Sequence, residues 1–269
     1  MRKPINASIP ADMISKIDEI VAHSQGDYKN RSHYIEQAVR SYMGDESALR
    51  DLLFEAMNGM QKVTTKSTLY ETTLLPRLTV NIPYKRAIGQ QALNIIGEGQ
   101  TLFLDGGTTN IELAKLIAQH KRGLTIVTNS ALICLELGQN SENVVISVGG
   151  QFFPFSASFI GPTAEENVQK YFVDLAIFST KAFIPAEGTF ESAEGTLRIK
   201  QIVAKRCGRV ILLIDHSKFG QRSMYKVLDV SEIHTVITDE LAPPESIDAL
   251  RQRGCEVYVV PIPKSNDRK

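Results

Sequence analysis

Several residue types and patterns are scarce in this 269-residue chain, and each scarcity excludes a class of protein. The cysteines, Cys134, Cys207 and Cys255, are odd in number, widely spaced and set among apolar residues. Such a set, without a CxxC pair, predicts buried thiols and argues against a disulfide framework and a cysteine metal site. No apolar run approaches the roughly 18 residues that a membrane span needs, and the polar N-terminus lacks a signal-peptide core. We therefore expect a cytoplasmic protein.

The chain also lacks an excess of either charge, because 30 Lys and Arg residues balance 30 Asp and Glu residues. Bulk basicity therefore does not point to nucleic acid, although a small local patch can still bind it. The histidines lack the HxxxH or carboxylate spacing of a metal site, so surface or capping roles are expected for them. We predict neither a metal nor a cofactor. The histidines are His23, His33, His120, His216 and His234.

What the chain does contain, from Tyr84 onward, is a steady alternation of helical patterns and apolar, β-branched runs. Near-continuous apolar runs predict strands that are covered on both faces, and the intervening helices predict parallel strands with right-handed crossovers. Residues 84–269 therefore predict a doubly wound, mostly parallel α/β sheet. The predicted strands are 101–105, 124–129, 143–150, 174–180, 209–215, 234–239 and 256–260.

The first of these strands ends in a pattern typical of a phosphate site. Gly106 and Gly107 lack a Cβ, so the backbone can turn sharply and approach a ligand closely, and two threonines follow where a helix begins. Thr109 and Glu112 have the spacing of a capping box, and the positive end of the helix dipole favours an anion. The alternative is a well-capped turn without a ligand. The predicted phosphate site comprises Asp105, Gly106, Gly107, Thr108 and Thr109.

Ligands of doubly wound sheets gather at the carboxyl ends of the strands. Polar residues or glycines lie at the carboxyl ends of five of the predicted strands, so we expect these ends to share one pocket. They are Asp105, Thr128-Asn129, Gly149-Gly150, Ser179-Thr180-Lys181 and Asp215-His216-Ser217-Lys218.

The N-terminal 43 residues have a different organisation. Residues 3–9 alternate between apolar and outward positions, which predicts one short strand, and two amphipathic helical patterns follow. So small a unit cannot bury a sufficient core, and its strand can pair only with a copy in another subunit. We therefore predict a homodimer or a higher homo-oligomer.

This segment resembles the ribbon-helix-helix family of DNA-binding proteins over roughly residues 2–43, on the text INASIPADMISKIDEI and YKNRSHYIEQAVRSYM. In that family the paired strands enter the major groove, so the resemblance implies a double-stranded DNA operator as partner. Outward Asn6 and Ser8 then read base edges, whereas the start of the second helix suits phosphate. Pro4 departs from the pattern, and a dimerisation module that never contacts DNA is the alternative. The implied DNA-binding residues are Arg2, Lys3, Asn6, Ser8, Lys29, Arg31 and Ser32.

Residues 44–83 are predicted to link the two parts. Apolar residues at helical spacing over 47–60 predict a connecting helix, and the alternation in Leu78-Thr79-Val80-Asn81-Ile82 predicts an extended segment or edge strand.

The set DGGTTN, VTNS, SVGG and DHSKFG, in this order, resembles the C-terminal sensor domain of the DeoR family of bacterial transcription regulators, over about Lys85 to Asp239. Such domains are similar in fold to ribose-5-phosphate isomerase and glucosamine-6-phosphate isomerase, and they bind phosphorylated sugars or related metabolites. The resemblance implies effector binding by Asp105 to Thr109, Thr128, Asn129 and Lys218. In such a site the lysine cation contacts the phosphate and the Asp105 carboxylate accepts sugar hydroxyls. Two departures are a ribbon-helix-helix pattern where the family usually has a winged helix-turn-helix, and a loose match over 183–200.

Two functions compete on this basis: a DNA-binding repressor controlled by a phosphorylated sugar, and an isomerase-like enzyme with a dimerising arm. The resembling isomerases carry an acidic DGADE segment where this chain reads DLAIFSTKAF, so their proton-transferring carboxylates are missing. The repressor, which is not an enzyme, is therefore favoured. An interaction protein such as an antitoxin fits the N-terminus but leaves the large sheet unexplained.

Some charged residues have two interpretations. Asp174 and Glu194 are either an acid-base pair or ordinary hydrogen-bonding residues at element ends. A basic cluster is expected to cover a solvated helix face rather than to bind DNA. It consists of Arg198, Lys200, Lys205, Arg206 and Arg209.

Overall fold

The computed structural model describes residues 74–138 and 142–262, which fall in the unit Ser67–Lys269. The predicted ribbon-helix-helix segment 1–43 and residues 44–73 of the predicted linker lie outside the described residues. The same holds for the predicted DNA-binding residues Arg2, Lys3, Asn6, Ser8, Lys29, Arg31 and Ser32.

Within the described residues, seven strands form one parallel sheet in the order β12-β11-β9-β6-β1-β2-β3. Every strand that the apolar runs predict is present in it, which confirms the predicted doubly wound, mostly parallel sheet. The strands are β1 Thr101–Leu104, β2 Thr125–Thr128, β3 Val144–Ser147, β6 Val173–Phe178, β9 Cys207–Leu213, β11 Thr235–Asp239 and β12 Glu256–Val260.

Two small antiparallel sheets, which the sequence analysis did not predict, stand beside the main sheet. One is the pair β4 and β5, and the other has the order β10-β8-β7. Their strands are β4 Gln151–Phe153, β5 Ser158–Ile160, β7 Ala182–Ile184, β8 Gly188–Glu191 and β10 Tyr225–Lys226.

Helices cover both faces of the sheet because side chains alternate along each strand. Leu102 and Leu104 of β1 pack in one apolar cluster with α2 and α3, whereas Phe103 packs in the other with α5 and α6. The helices are α1 Leu74–Thr79, α2 Ile82–Ile95, α3 Thr108–His120, α4 Ala131–Gly138, α5 Pro162–Val168, α6 Glu194–Ala204 and α7 Pro244–Gln252. Two short 3-10 turns lie at His216–Lys218 and Val230–Glu232.

The first described elements correct the predicted extended segment over 78–82. Leu74 is fully buried and Leu78 packs against the cluster of α2 and α3, so Leu78 and Thr79 form the end of helix α1. Asn81 then takes a left-handed conformation with φ of 58°, and the chain turns there into α2. We call the residues from Pro76 to Lys85 the elbow.

The order of the strands reverses between β1 and β6, which are hydrogen-bonded neighbours. From β1 the chain passes through α3 to β2 on one side, and from β6 it passes through α6 to β9 on the other. The carboxyl ends of β1 and β6 therefore border a crevice, and such a crevice is where open α/β sheets bind ligands.

The part of the chain that the structure describes contains no helix long and apolar enough to cross a membrane. Cys255 is buried, as predicted, but Cys134 and Cys207 are only half-buried, and all three thiols are free.

Candidate functional site

A cavity of about 320 Å³ opens at the crevice between β1 and β6. Its walls come from the carboxyl ends of the central strands, from β8 and α6, and from the elbow. Of the predicted effector-binding residues, Asp105, Gly106, Gly107, Thr108, Thr109, Asn129 and Lys218 line this cavity.

Thr128 does not line the cavity, contrary to the prediction. Its hydroxyl is fully buried, where it donates to the carbonyl oxygen of Leu104 at 2.7 Å and accepts from the Ser130 N–H at 3.0 Å. Thr128 therefore joins β1 to β2 and supports the site from behind.

Asp105 organises the turn between β1 and α3. Its Oδ1 accepts hydrogen bonds from Gly107 N at 2.9 Å and from Asn110 Nδ2 at 2.6 Å, and its Oδ2 accepts from Ser179 N at 3.1 Å. Both carboxylate oxygens are therefore engaged within the protein. This differs from the prediction that Asp105 accepts sugar hydroxyls.

The predicted capping box is also absent at the start of α3, where Gly107 is the N-cap without a side-chain hydrogen bond. Glu112 instead contacts Arg86 at 3.0 Å and Lys115 at 2.7 Å. Burial alone would raise the pKa of Glu112, but these two partners outweigh it and lower the pKa.

The two glycines of the turn are required by contacts within the protein. A Cβ on Gly106 would lie 2.1 Å from Ser158 Oγ, and one on Gly107 would lie 2.3 Å from Ser179 Cβ. No side chain fits at either position without a shift of the neighbouring serine.

The environment of Lys200 differs most from the predicted one. Lys200 was predicted on a solvated helix face but is only 4% exposed. Its ammonium lies 2.9 Å from Asp105 Oδ2, donates to the Ser179 carbonyl oxygen at 2.6 Å and is hydrogen-bonded to Glu191. Burial alone would lower the pKa of Lys200, but Asp105 and Glu191 outweigh it and raise the pKa. Its helix is thereby tied to the ends of β1, β6 and β8.

The other residues of the predicted basic cluster fit the solvated interpretation better. Arg198, Lys205 and Arg206 are exposed, and Arg209 is half-buried and pairs with Glu256.

At the end of β9, Asp215 Oδ1 accepts hydrogen bonds from Asn81 Nδ2 at 3.0 Å, from Ser217 N at 3.0 Å and from the Ser217 hydroxyl. Burial would raise the pKa of Asp215, but the Ser217 hydrogen bond and the Lys218 charge lower it overall. A buried carboxylate that stays ionised is thus held at the cavity wall.

The elbow contributes two cations to the same wall, Arg77 and Lys85. The Lys85 ammonium is buried and donates to the carbonyl oxygens of Arg77 at 2.5 Å and Val80 at 2.6 Å, at the C-terminal end of α1. Burial lowers the pKa of Lys85 to about 8, so its charge is present at neutral pH and lost at higher pH.

Buried polar atoms without partners are concentrated around this cavity. Among the described residues, six buried side-chain atoms lack a hydrogen-bond partner, and four of them belong to cavity residues. Native proteins leave few such atoms, because each costs free energy when it is desolvated. The four are Arg77 Nε, Asn129 Oδ1, Ser156 Oγ and Asp215 Oδ2.

Sequence reasoning missed the elbow residues, Glu191 and the burial of Lys200. The signal for Lys200 was present: Leu197, Lys200 and Val203 recur at a spacing of three, which places a lysine in the inward stripe of α6. No comparable signal marks Arg77 or Asn81, because their role depends on a contact with a distant strand.

Asp174 and Glu194 do not form an acid-base pair at the cavity. Asp174 is exposed and accepts a hydrogen bond from Thr101 N at 2.7 Å, and Glu194 is exposed in the first turn of α6. Within 74–138 and 142–262, no group of three or more His, Cys, Asp or Glu residues is arranged to hold a metal ion.

Comparison with known proteins gives a family match for the sheet that carries this cavity. Residues 80–240 match the model of the DeoR C terminal sensor domain. An HTH-type transcriptional regulator of Bacillus subtilis is 33% identical over 189 residues, which are 70% of this chain and 72% of that protein. A putative aga operon transcriptional repressor of Escherichia coli O157:H7 is 29% identical over 71% of this chain and 70% of its own length.

Similarity also extends beyond the matched domain. The HTH-type transcriptional regulator GlpR of Haloferax volcanii is 29% identical over 253 residues, which are 93% of this chain and 97% of that protein. This alignment is longer than the matched domain and includes much of the N-terminal part. Among solved structures, ribose 5 phosphate isomerase A from Neisseria gonorrhoeae is 17% identical, with a TM-score of 0.38, over 51% of this chain and 53% of its own.

Proposed function

Because the chain belongs to the DeoR family of transcription regulators, we propose that it is a repressor whose DNA binding is controlled by a phosphorylated sugar or a related metabolite. The effector binds in the cavity at the crevice between β1 and β6. The operator is double-stranded DNA.

The observation that carries the proposal is the set of unpartnered buried atoms around the cavity. Asn129 Oδ1 and Asp215 Oδ2 accept hydrogen bonds, so they suit the hydroxyl groups of a sugar. Arg77 Nε is a donor and suits an anion. A phosphorylated sugar offers both kinds of group, and its binding would satisfy atoms that are otherwise desolvated without a partner.

The comparisons support a repressor rather than a different kind of protein. The relatives bear names of transcription regulators, and one of them is a putative repressor of an operon. This agrees with a protein that combines a small-molecule site with a DNA-binding part.

The alternative, an isomerase-like enzyme, is less well supported by the charges in the cavity. A general base works best with a pKa near the operating pH, but the pKa of Asp215 is lowered, and Lys200 has a raised pKa and is bonded to two carboxylates. Lys85, with a pKa of about 8, is charged at neutral pH and donates to the carbonyl oxygens of Arg77 and Val80. None of the three groups is therefore suited to act as a general base toward a bound sugar at neutral pH.

For the N-terminal part we keep the ribbon-helix-helix proposal, with Asn6 and Ser8 on base edges and Lys29 and Arg31 on phosphates. Its paired strand requires two copies of the chain, so the proposed repressor is a homodimer or a higher homo-oligomer.

Calorimetric titration with pentose and hexose phosphates, run beside titrations of an operator selected from random DNA, tests this function. We expect one class of sugar phosphate to bind and to change operator affinity by about 5- to 150-fold. Lys218→Ala should abolish that response while leaving ligand-free operator affinity nearly unchanged, because it removes only a cavity cation. Steady conversion of a sugar phosphate into product would instead establish the enzyme.

A further inference from the structure

The cations of the cavity are not spread evenly along its wall. Arg77 and Lys85 of the elbow lie at the Asp215 and Lys218 side, and the charges of Asp215, Lys218 and Arg77 all act on the Lys85 ammonium. Around Lys200 the cavity wall contains the carboxylates Asp105 and Glu191 instead, and Lys181 also lines the cavity. The cavity therefore has two electrostatically different poles.

We propose that the elbow completes the phosphate subsite of the effector, with Arg77 binding the phosphate directly beside Lys218. This deepens, and rests on, the proposed function. The sequence predicts the phosphate at the turn of residues 105–109 alone. The proposal instead places it where this turn and the elbow meet.

Charge complementarity favours the elbow pole. Among the cavity residues at this pole, the three cations Arg77, Lys85 and Lys218 face one carboxylate, Asp215, which leaves an excess of two positive charges where a phosphate dianion needs them. Glu112 also acts on Lys85, but it does not line the cavity and is paired with Arg86 and Lys115. In a partly desolvated site this excess attracts a dianion more strongly than it would in water.

The other pole repels a phosphate. Lys200 there is outnumbered by Asp105 and Glu191, and its ammonium protons are engaged by these carboxylates and by the Ser179 carbonyl oxygen. A dianion beside Lys200 would meet the carboxylates of Asp105 and Glu191, and the Lys200 ammonium protons are already engaged. The sugar part of the effector, rather than its phosphate, is therefore expected there.

The Arg77 guanidinium is suited to bind the phosphate. A guanidinium offers donors in a planar fork that matches phosphate oxygens. Its Nε is buried, and it has no hydrogen-bond partner in the described part of the chain. A phosphate at Arg77 would supply that partner.

The consequence is that the effector bridges two elements that are far apart in sequence. Arg77 lies on α1, the first described helix, and Lys218 lies after β9. A ligand held by both fixes the elbow against the sheet, and α1 follows directly on the N-terminal part of the chain.

The test measures thermal unfolding of the full chain at pH 7 in inorganic phosphate and in chloride of equal ionic strength, and then in ribose 5-phosphate and glucose 6-phosphate. The variants are Arg77→Gln, Arg77→Lys and the control Arg122→Gln. Arg122 is an exposed arginine that pairs with Glu142 at 3.7 Å and does not line the cavity.

We expect phosphate to raise the melting temperature of the wild type and of Arg122→Gln alike. Arg77→Gln should weaken phosphate binding by roughly 10- to 100-fold, and Arg77→Lys, which keeps the charge but loses the fork, should weaken it less. Amide hydrogen exchange of the wild type, which needs no variant, should slow over 74–85 when phosphate binds.

Undiminished stabilisation of Arg77→Gln by phosphate would overturn the assignment of Arg77 and leave the proposed function intact. Unchanged exchange over 74–85 in a wild type that phosphate stabilises would do the same. If neither phosphate nor either sugar phosphate stabilises the wild type, both proposals fail together.

Discussion

The side chain of Asn81 donates a hydrogen bond to the carboxylate of Asp215, at 3.0 Å and across 134 residues of sequence. Asn81 lies at the bend of the elbow in a left-handed conformation, and Asp215 lies at the cavity wall. This contact holds Asp215 with one oxygen bonded and the other, Oδ2, unpartnered within the described residues. The elbow thus orients a group that we assign to the effector.

Comparison of Asn81→Gly with Asn81→Ala separates the effect of the lost hydrogen bond from the effect of the left-handed backbone conformation. Both remove the amide, so both should bind the effector about 5- to 10-fold more weakly. Only alanine must also adopt φ of 58°, so Asn81→Ala should be about 1 kcal/mol less stable than Asn81→Gly in urea unfolding. Equal stability of the two variants would show that the bend is not constrained as described.

Lys200→Met should be strongly destabilising. It leaves the carboxylates of Asp105 and Glu191 buried without their cation, and loss of one partner from a buried pair costs about 3–5 kcal/mol. Urea unfolding measures the loss, and Lys205→Met, on the exposed end of the same helix, should stay within about 0.5 kcal/mol of wild type. Adding Glu191→Gln to Lys200→Met should recover part of the loss, and a purely additive double variant would speak against the ion pair.

Because of Lys85, the free energy of unfolding should rise with pH in the alkaline range. The pKa of Lys85 is about 8 in the folded protein against an ordinary value of 10.5, so between these values the unfolded chain binds more protons. The free energy of unfolding therefore increases with pH across that window. Denaturant titrations from pH 7 to 10.5 should show this rise in the wild type relative to Lys85→Gln. Parallel curves for the two proteins would contradict the lowered pKa.

The same titration predicts the opposite trend for effector binding. A phosphate favours the charged Lys85, so affinity should fall as pH rises through about 8, by up to about tenfold per pH unit. In Lys85→Gln the affinity should be weaker and nearly independent of pH over that range. Calorimetry from pH 7 to 9.5 distinguishes the two profiles.

Gly107→Ala should destabilise the site by overpacking. The added Cβ would lie 2.3 Å from Ser179 Cβ, and such insertions typically cost about 1–3 kcal/mol. Ser179→Gly in the same chain should relieve most of the clash and leave only the contact of the added Cβ with Asp105 Oδ1 at 2.9 Å. Gly138→Ala is the matched control, because nothing lies within 4 Å of its added Cβ and alanine favours the helix by up to about 1 kcal/mol. Thermal unfolding of these three variants and the wild type measures the differences.

The N-terminal proposal makes a separate prediction about DNA. Asn6→Ala should cost roughly 1–3 kcal/mol and relax preference at one base position, because a base contact is lost. Arg31→Ala should instead weaken binding to all sequences and flatten the salt dependence, because a phosphate contact is lost. Binding titrations on selected and mismatched sites test both. Unchanged cognate affinity of Asn6→Ala would reject the base-reading role.

The main sheet could be predicted from the sequence because its strands are buried on both faces. Runs such as residues 209–215 contain almost only apolar residues, and a parallel sheet with covered faces is the arrangement that suits them. The strands of the two small sheets have only two to four residues each, which is too short for a pattern to be read. Their pairing depends on the turns between them.

The site was predictable only in part, for a similar reason. The turn after β1 has a local signature in Gly106 and Gly107, and the structure places it at the cavity. Lys200 and Asp105 form an ion pair only because α6 packs across the end of the sheet, and this contact cannot be read from the sequence. A lysine whose partner is unknown is expected in solvent. The alternation around Val80 likewise predicts a strand. The structure instead has helix α1 up to Thr79, with Leu74 buried.

The strand order also has a consequence for synthesis, which runs from the N-terminus. The turn after β1 leaves the ribosome early, but its neighbour β6 and the wall at Asp215 and Lys218 follow much later, and Asn81 must wait 134 residues for its acceptor. An unfinished chain that ends before β9 contains the turn after β1 and the elbow, but it lacks the cavity wall at Asp215 and Lys218 that lies between them. On the proposed function, a nascent chain cannot bind the effector before this surface is made, and only a completed domain can respond to it.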